Sequence, residues 1–253
     1  MCCFSRSVQS VSDTNIFARD DQGVDQFLVY SMRFSAKEDL SMVLPLPVPQ
    51  GTQEDAVRFI NLEKYPSFFK DMESGFPAPP VPRGAPLIAM GALESVRLKV
   101  VEVGGFEASF VPTLADFDRL DERFRLPAGT WERIPAYRDF GFAVFKLRKE
   151  AHSVHPMAFR FPRREPKRLF FPTVHIHDGE VHREANFDHS LYCQPGLNAQ
   201  DRFDKARPGS WQETMREAST FMKTQLAQGI VNPAERCYRL KLNGVRKNAD
   251  TRV

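Results

Sequence analysis

Apolar residues in this chain come in short runs bounded by turn signals, and that punctuation restricts it to strands more than to helices. Thr14 to Arg19 and Gln26 to Ser35 are two such runs, with Asp20-Asp21-Gln22-Gly23 between them as a turn. Leu40 to Val48 continues the pattern, but Pro45 and Pro47 fall inside it and Pro49 follows. Proline has no N–H to give to a ladder, so this segment is expected as an edge strand or an extended segment on the core. Val96 to Val103 and Phe106 to Val111 flank Gly104-Gly105, a strong hairpin signal. Gly141 to Leu147, Met157 to Phe161, Leu169 to His177 and Cys237 to Leu242 read as further strands.

Helical spacing is rarer. Gln53 to Leu62 and Tyr65 to Ser74 carry it, as do Ala56, Phe59 and Ile60 within the first. Leu114 to Phe124 places Phe117, Leu120 and Phe124 on one face. The clearest helical pattern is Trp211 to Gln228, with Met215, Ala218, Phe221 and Met222 at core spacing and Gly229 as its stop. The expected fold class is α+β, a mostly antiparallel β-sheet core with a few peripheral helices. One domain over 1–246 is expected, with a weak boundary in the Pro-rich loop 76–86 and a flexible tail over 247–253.

Residues 27–47 align without gaps onto 142–162, a shift of 115 positions. Phe27, Val29, Arg33, Ala36, Met42 and Pro47 recur as Phe142, Val144, Arg148, Ala151, Met157 and Pro162. An internal duplication of a strand–turn–strand unit is one reading. Chance likeness between short apolar strands is the other.

Composition narrows the function classes. With 253 residues, 42% of them apolar, the chain can bury a core without metal or disulfide staples. Its net charge of +3 gives no argument for nucleic acid or a membrane surface. No apolar run approaches the roughly 20 residues that span a bilayer, and the first residues lack a signal-peptide core. A cytoplasmic location is therefore expected. Cys2, Cys3, Cys193 and Cys237 form no Cys-x-x-Cys pair, which argues against a zinc ribbon. The 22 phenylalanines point to an aromatic-rich core.

All 6 histidines lie between His152 and His189. Asp178-Gly179 is a hairpin turn signal, and a two-residue loop there would put His175, His177, Glu180 and His182 on one face. Three imidazoles and a carboxylate make a competent shell for a transition metal. A polar face on an exposed hairpin gives the same pattern, above all for Glu180 and His182. His175 and His177 are the firmer pair, because His-x-His on a strand aims both rings one way. The pattern resembles the cupin metal motif in part; position 169 is Leu where that motif has Gly, and Glu180 follows His177 too closely, so membership is not assigned.

His189 and Cys193 share a face on a strand or a helix, and Leu191 would join them on a strand. A buried, hydrogen-bonded core pair is one reading; a thiolate–imidazole ligand pair for Zn or Cu is the other. Cys2 and Cys3 could fold back to complete a mixed Cys/His centre. Removal of Met1 would alternatively leave Cys2 with a free α-amine, able to act as nucleophile and base together. That opening resembles amidohydrolases with an N-terminal cysteine nucleophile and the abasic-site-crosslinking peptidase-like proteins, the resemblance covering Cys2 alone.

The favoured expectation is a transition-metal-binding protein, holding Zn, Cu or Fe on His175, His177, His189, Cys193, Cys2 and Cys3. Cys2, Glu180 and Asp188 are the catalytic candidates, and the partner is a small-molecule substrate or metal ion. The alternatives are an N-terminal-cysteine hydrolase or transferase, and a non-enzymatic binding or scaffold domain. The basic stretch Phe159 to Arg168, with interleaved Phe, reads as a half-buried strand entering a solvated loop.

Overall fold

The computed structural model describes residues 2–77, 106–147, 155–176, 182–194 and 211–253, with side chains omitted at Cys2, Phe106 and Arg123. The strands in chain order are β1 (Cys2–Phe4), β2 (Ser10–Asp21), β3 (Asp25–Ser35), β4 (Leu40–Leu46), β5 (Arg58–Asn61), β6 (Phe106–Val111) and β7 (Gly141–Leu147). They continue as β8 (Met157–Pro162), β9 (Phe170–Phe171), β10 (His175–Ile176), β11 (Glu184–Gln194), β12 (Gln212–Glu213), β13 (Tyr238–Lys247) and β14 (Thr251–Arg252). One α-helix is described, α1 (Phe68–Ser74).

The turn signal after β2 is realised. Gln22 and Gly23 take φ of 53° and 78°, the left-handed region that such a hairpin needs. Gly23 N–H donates to Asp20 Oδ1 at 3.0 Å. The ladders then build two main sheets. A 5-stranded sheet runs β10-β1-β4-β7-β6, and a 7-stranded sheet runs β12-β13-β11-β2-β3-β8-β5. Two pairs, β1 with β10 and β2 with β11, are parallel. The fold is therefore strand-rich with few helices, in mixed and antiparallel sheets.

Alternation along β3 explains the layering. Leu28 and Tyr30 point into the core between the sheets. Phe27 and Val29 point the other way, onto Phe68, Phe69 and Met72 of α1 and onto Met222 and Ile230. The centre of the 7-stranded sheet is thus buried on both faces. β7 alternates likewise: the Phe145 ring meets Phe59 and Phe159 between the sheets. On the outer face Phe142 packs on Phe117 and Trp131, at 5.1 and 4.5 Å between ring centres.

Several expectations change. Trp211 to Gln228 is not a helix. Thr214 N–H donates to the Cys237 carbonyl, Ala218 N–H to Glu235 and Ser219 N–H to Pro233, so this segment bonds to the chain returning beside it. Met215, expected in the core, is 72% exposed. Gln53 to Leu62 becomes a 3-10 turn and β5, and Leu114 to Phe124 becomes two 3-10 turns. The proline-bearing β4 lies inside its sheet, every residue buried. β1 covers it only at Met42 and Val43, so Pro45 needs no donor toward that side. Thr251–Arg252 pairs with β9, where a loose tail was expected. The Gly104-Gly105 hairpin lies outside the described residues.

The 115-residue shift has a structural counterpart. It carries the β3–β8 pairs Leu28↔Phe159 and Tyr30↔Met157 onto Ala143↔Leu44 and Phe145↔Met42, which are pairs of the β7–β4 ladder. Among the described residues no helix is long and apolar enough to cross a membrane.

Candidate functional site

β11 runs from an exposed start to a fully buried end, and its inward face carries Phe187, His189, Leu191 and Cys193. The predicted sharing of a face by His189 and Cys193 therefore appears as a core face. His189 is 1% exposed. Its ring centre lies 4.7 Å from that of His175 and 5.1 Å from that of Phe187. His175 and Phe187 are 4.5 Å apart, which closes a three-ring aromatic cluster. Burial pushes the Cys193 thiol well above its usual range, with Cys237 adding to the effect, and burial raises Cys237 too.

β10 brings His175 beside the first strand, with Cys2↔His175 and Cys3↔Ile176 as backbone partners. The first strand thus runs beside the histidine strand in the backbone. Cys3, however, turns its side chain into the core at 0% exposure. Asn248 fixes the same place. Its Oδ1 accepts from His175 N–H at 2.7 Å, and its Nδ2 donates to the carbonyls of His175 and His182 at 2.9 and 3.0 Å. His182 itself is exposed.

Asp188 serves the backbone. β2 carries an irregularity between Ser12 and Asn15, where Asp13 takes φ of 54°. Asp188 Oδ2 accepts from Asp13 N–H at 2.7 Å and holds that irregularity. His177 and Glu180 lie outside the described residues.

The metal-binding expectation is corrected on this geometry. Among the described residues no group of three or more His, Cys, Asp or Glu side chains is arranged to hold a metal ion. His189 packs against rings, and Cys193 and Cys3 are packed in the core. With the metal goes the metalloenzyme built on it.

What sequence reading missed is where strand ends meet. Leu40, Phe106 and Leu147 stand at one level of the 5-stranded sheet, through the pairs Leu40↔Leu147 and Phe106↔Leu147. β6 begins and β7 ends at that level. β10 runs parallel to β1 and antiparallel to β4, so it heads toward the same end. No local signal reveals this, because it depends on the register of strands far apart in sequence.

No protein-family model and no curated protein matches the sequence. The chain is similar to solved structures of baculovirus P35. The first has 14% identity, a TM-score of 0.48 and coverage of 96% of each chain. A mutated baculovirus P35 after caspase cleavage has 12% identity, a TM-score of 0.45 and coverage of 95% of this chain and 98% of that one. The caspase-8/P35 complex is similar at 13% identity, a TM-score of 0.42 and 95% of each chain.

Proposed function

We propose that the chain is a protein-binding domain, in which the paired sheets offer the end marked by Leu40, Phe106 and Leu147 to a partner protein. The observation that carries this reading is the common level of Leu40, Phe106 and Leu147, with β10 heading the same way. The end of a rigid sheet scaffold is a recurrent place for a recognition surface. The packed state of His189, Cys3, Cys193 and Cys237 supports a structural role for these groups. We also read 27–47 and 142–162 as copies of one duplicated unit. The matching registers of the β3–β8 and β4–β7 ladders support that reading.

Size-exclusion chromatography with light scattering tests the binding reading. The probes are caspase-8 (the partner named in the P35 complex) and a panel of other cysteine proteases, with an unrelated serine protease as control. The expected result is a stable complex with a cysteine-protease probe. A variant with 78–105 replaced by a glycine–serine linker of equal length should lose the complex and melt at the same temperature. A complex that survives replacement of 78–105, 148–154 and 177–181 together would overturn the reading, as would the absence of any complex across the panel.

A further inference from the structure

A second feature lies at the opposite end of the sheets, beside Pro47 and the close of β8. It is an open cleft whose enclosed part measures about 10 Å³, room for one water-sized oxygen. Phe161, Phe170 and Pro47 form its apolar walls. Arg163, Arg168 and Arg252 supply cations, and Glu165 the nearest carboxylate. The basic stretch is, as expected, a half-buried strand entering an exposed loop, and two of its residues, Arg163 and Arg168, line this cleft.

Arg163 is the anchor. Its side chain is 4% exposed. Nη2 donates to Asp20 Oδ1, and Nη1 reaches the Arg168 carbonyl only at 3.5 Å. Nε is buried and has no hydrogen-bond partner among the described residues. A buried charged donor left without an acceptor is costly, so an oxygen is expected at this position. The mouth decides which kind. Arg168 is exposed there. Arg252 lies over the Phe170 ring at 5.3 Å and meets Glu165 only at 3.6 Å. Two guanidinium groups against one carboxylate leave positive charge beside a desolvated donor.

We propose that this cleft binds one oxyanion group, a carboxylate or a phosphate. One oxygen enters to Arg163 Nε, and the remaining oxygens stay at the mouth between Arg168 and Arg252. Gln26 takes no part, because its amide is spent on both the N–H and the carbonyl of Phe170. Glu165 acts as a resident competitor for Arg252.

The test follows the Arg163 Nε–Hε signal by nuclear magnetic resonance during titration with inorganic phosphate and, separately, with N-acetyl-aspartate amide. A saturable shift is expected with at least one probe. Response to phosphate alone identifies a free or ester phosphate as the source. Response to the aspartate derivative identifies an acidic side chain. R168Q and R252Q should each weaken binding about tenfold, the loss of one charge-assisted bond. E165Q should strengthen it severalfold. None of the three removes a buried group, so all should fold. The proposal fails if the Arg163 signal does not move, if the variants bind as the parent does, or if a crystal soaked in either probe holds only a water at Nε.

Discussion

Glu73 shows how much one carboxylate holds here. It accepts from Arg239 at 2.5 Å, from Tyr192 Oη at 2.8 Å and from Lys241 at 3.0 Å, tying α1 to β11 and β13. Burial pushes its pKa up, but the bonds from Arg239, Tyr192 and Lys241 outweigh this and hold it below the usual carboxylate range. A depressed carboxylate stabilises the fold above its unfolded pKa, and that contribution is lost as pH falls through the folded value. Glu73→Gln should therefore lower the thermal midpoint at pH 7, by about 1–2 kcal/mol of stability after allowance for the group's partial exposure. Melts taken down to pH 3 should show the gap to the parent closing.

Asp250 behaves oppositely. Burial raises its pKa, against bonds from Tyr137 Oη and from the N–H groups of Val174 and Thr173. A raised carboxyl holds its proton more tightly when folded, so its contribution is present at low pH and is lost as pH rises through the folded value. Asp250→Asn should thus gain on the parent as pH rises from 4 to 8. Denaturant midpoints across that range would show it, and a constant difference would contradict it.

At the scale of elements, local chemistry was legible where a segment's partners do not matter. The turn at Asp20 to Gly23, the strand Gly141–Leu147 and the inward face of His189 and Cys193 all follow from turn residues and two-residue alternation. The error at Trp211 to Gln228 has a definite cause. Ala218 and Met222 are buried at helical spacing, but only isolated turns form there, such as Met222 N–H to the Ala218 carbonyl, while the N–H groups of Thr214, Ala218 and Ser219 go to residues 233–237. Periodicity records which side chains are buried and is silent on which carbonyl each N–H finds. The histidines misled for a related reason: imidazoles sharing a face were read as ligands, whereas the His175 and His189 rings pack at tilted angles against Phe187. Close packing makes one element prediction. A Cβ on Gly141 would lie 2.6 Å from the Phe110 ring and 2.9 Å from Val48. Gly141→Ala should cost about 1–3 kcal/mol by overpacking, read as a lower denaturant midpoint with an unchanged slope. Truncating Phe4, 3% exposed on β1, should cost about 3–5 kcal/mol, checked in the same way by Phe4→Ala.

For the whole molecule, the parts that could not be read were the long-range ones: the parallel pairings, the shared level of Leu40, Phe106 and Leu147 and the arginine-lined cleft. Each depends on bringing together residues more than a hundred positions apart, such as Gln26 and Phe170. The interlocking of β3 with β8 and of β4 with β7 has a consequence for synthesis. β3 and β4 lie in different sheets, and each has one neighbour earlier in the chain and one much later. Emerging from the ribosome, residues 25–46 can pair with β2 and β1, but their other edges stay open until β7 and β8 have followed. Most of the folding barrier therefore falls late, because distant loops must close before their contacts reward them. A fragment ending after β4 should stay unfolded alone and regain structure when the remainder of the chain is supplied in trans.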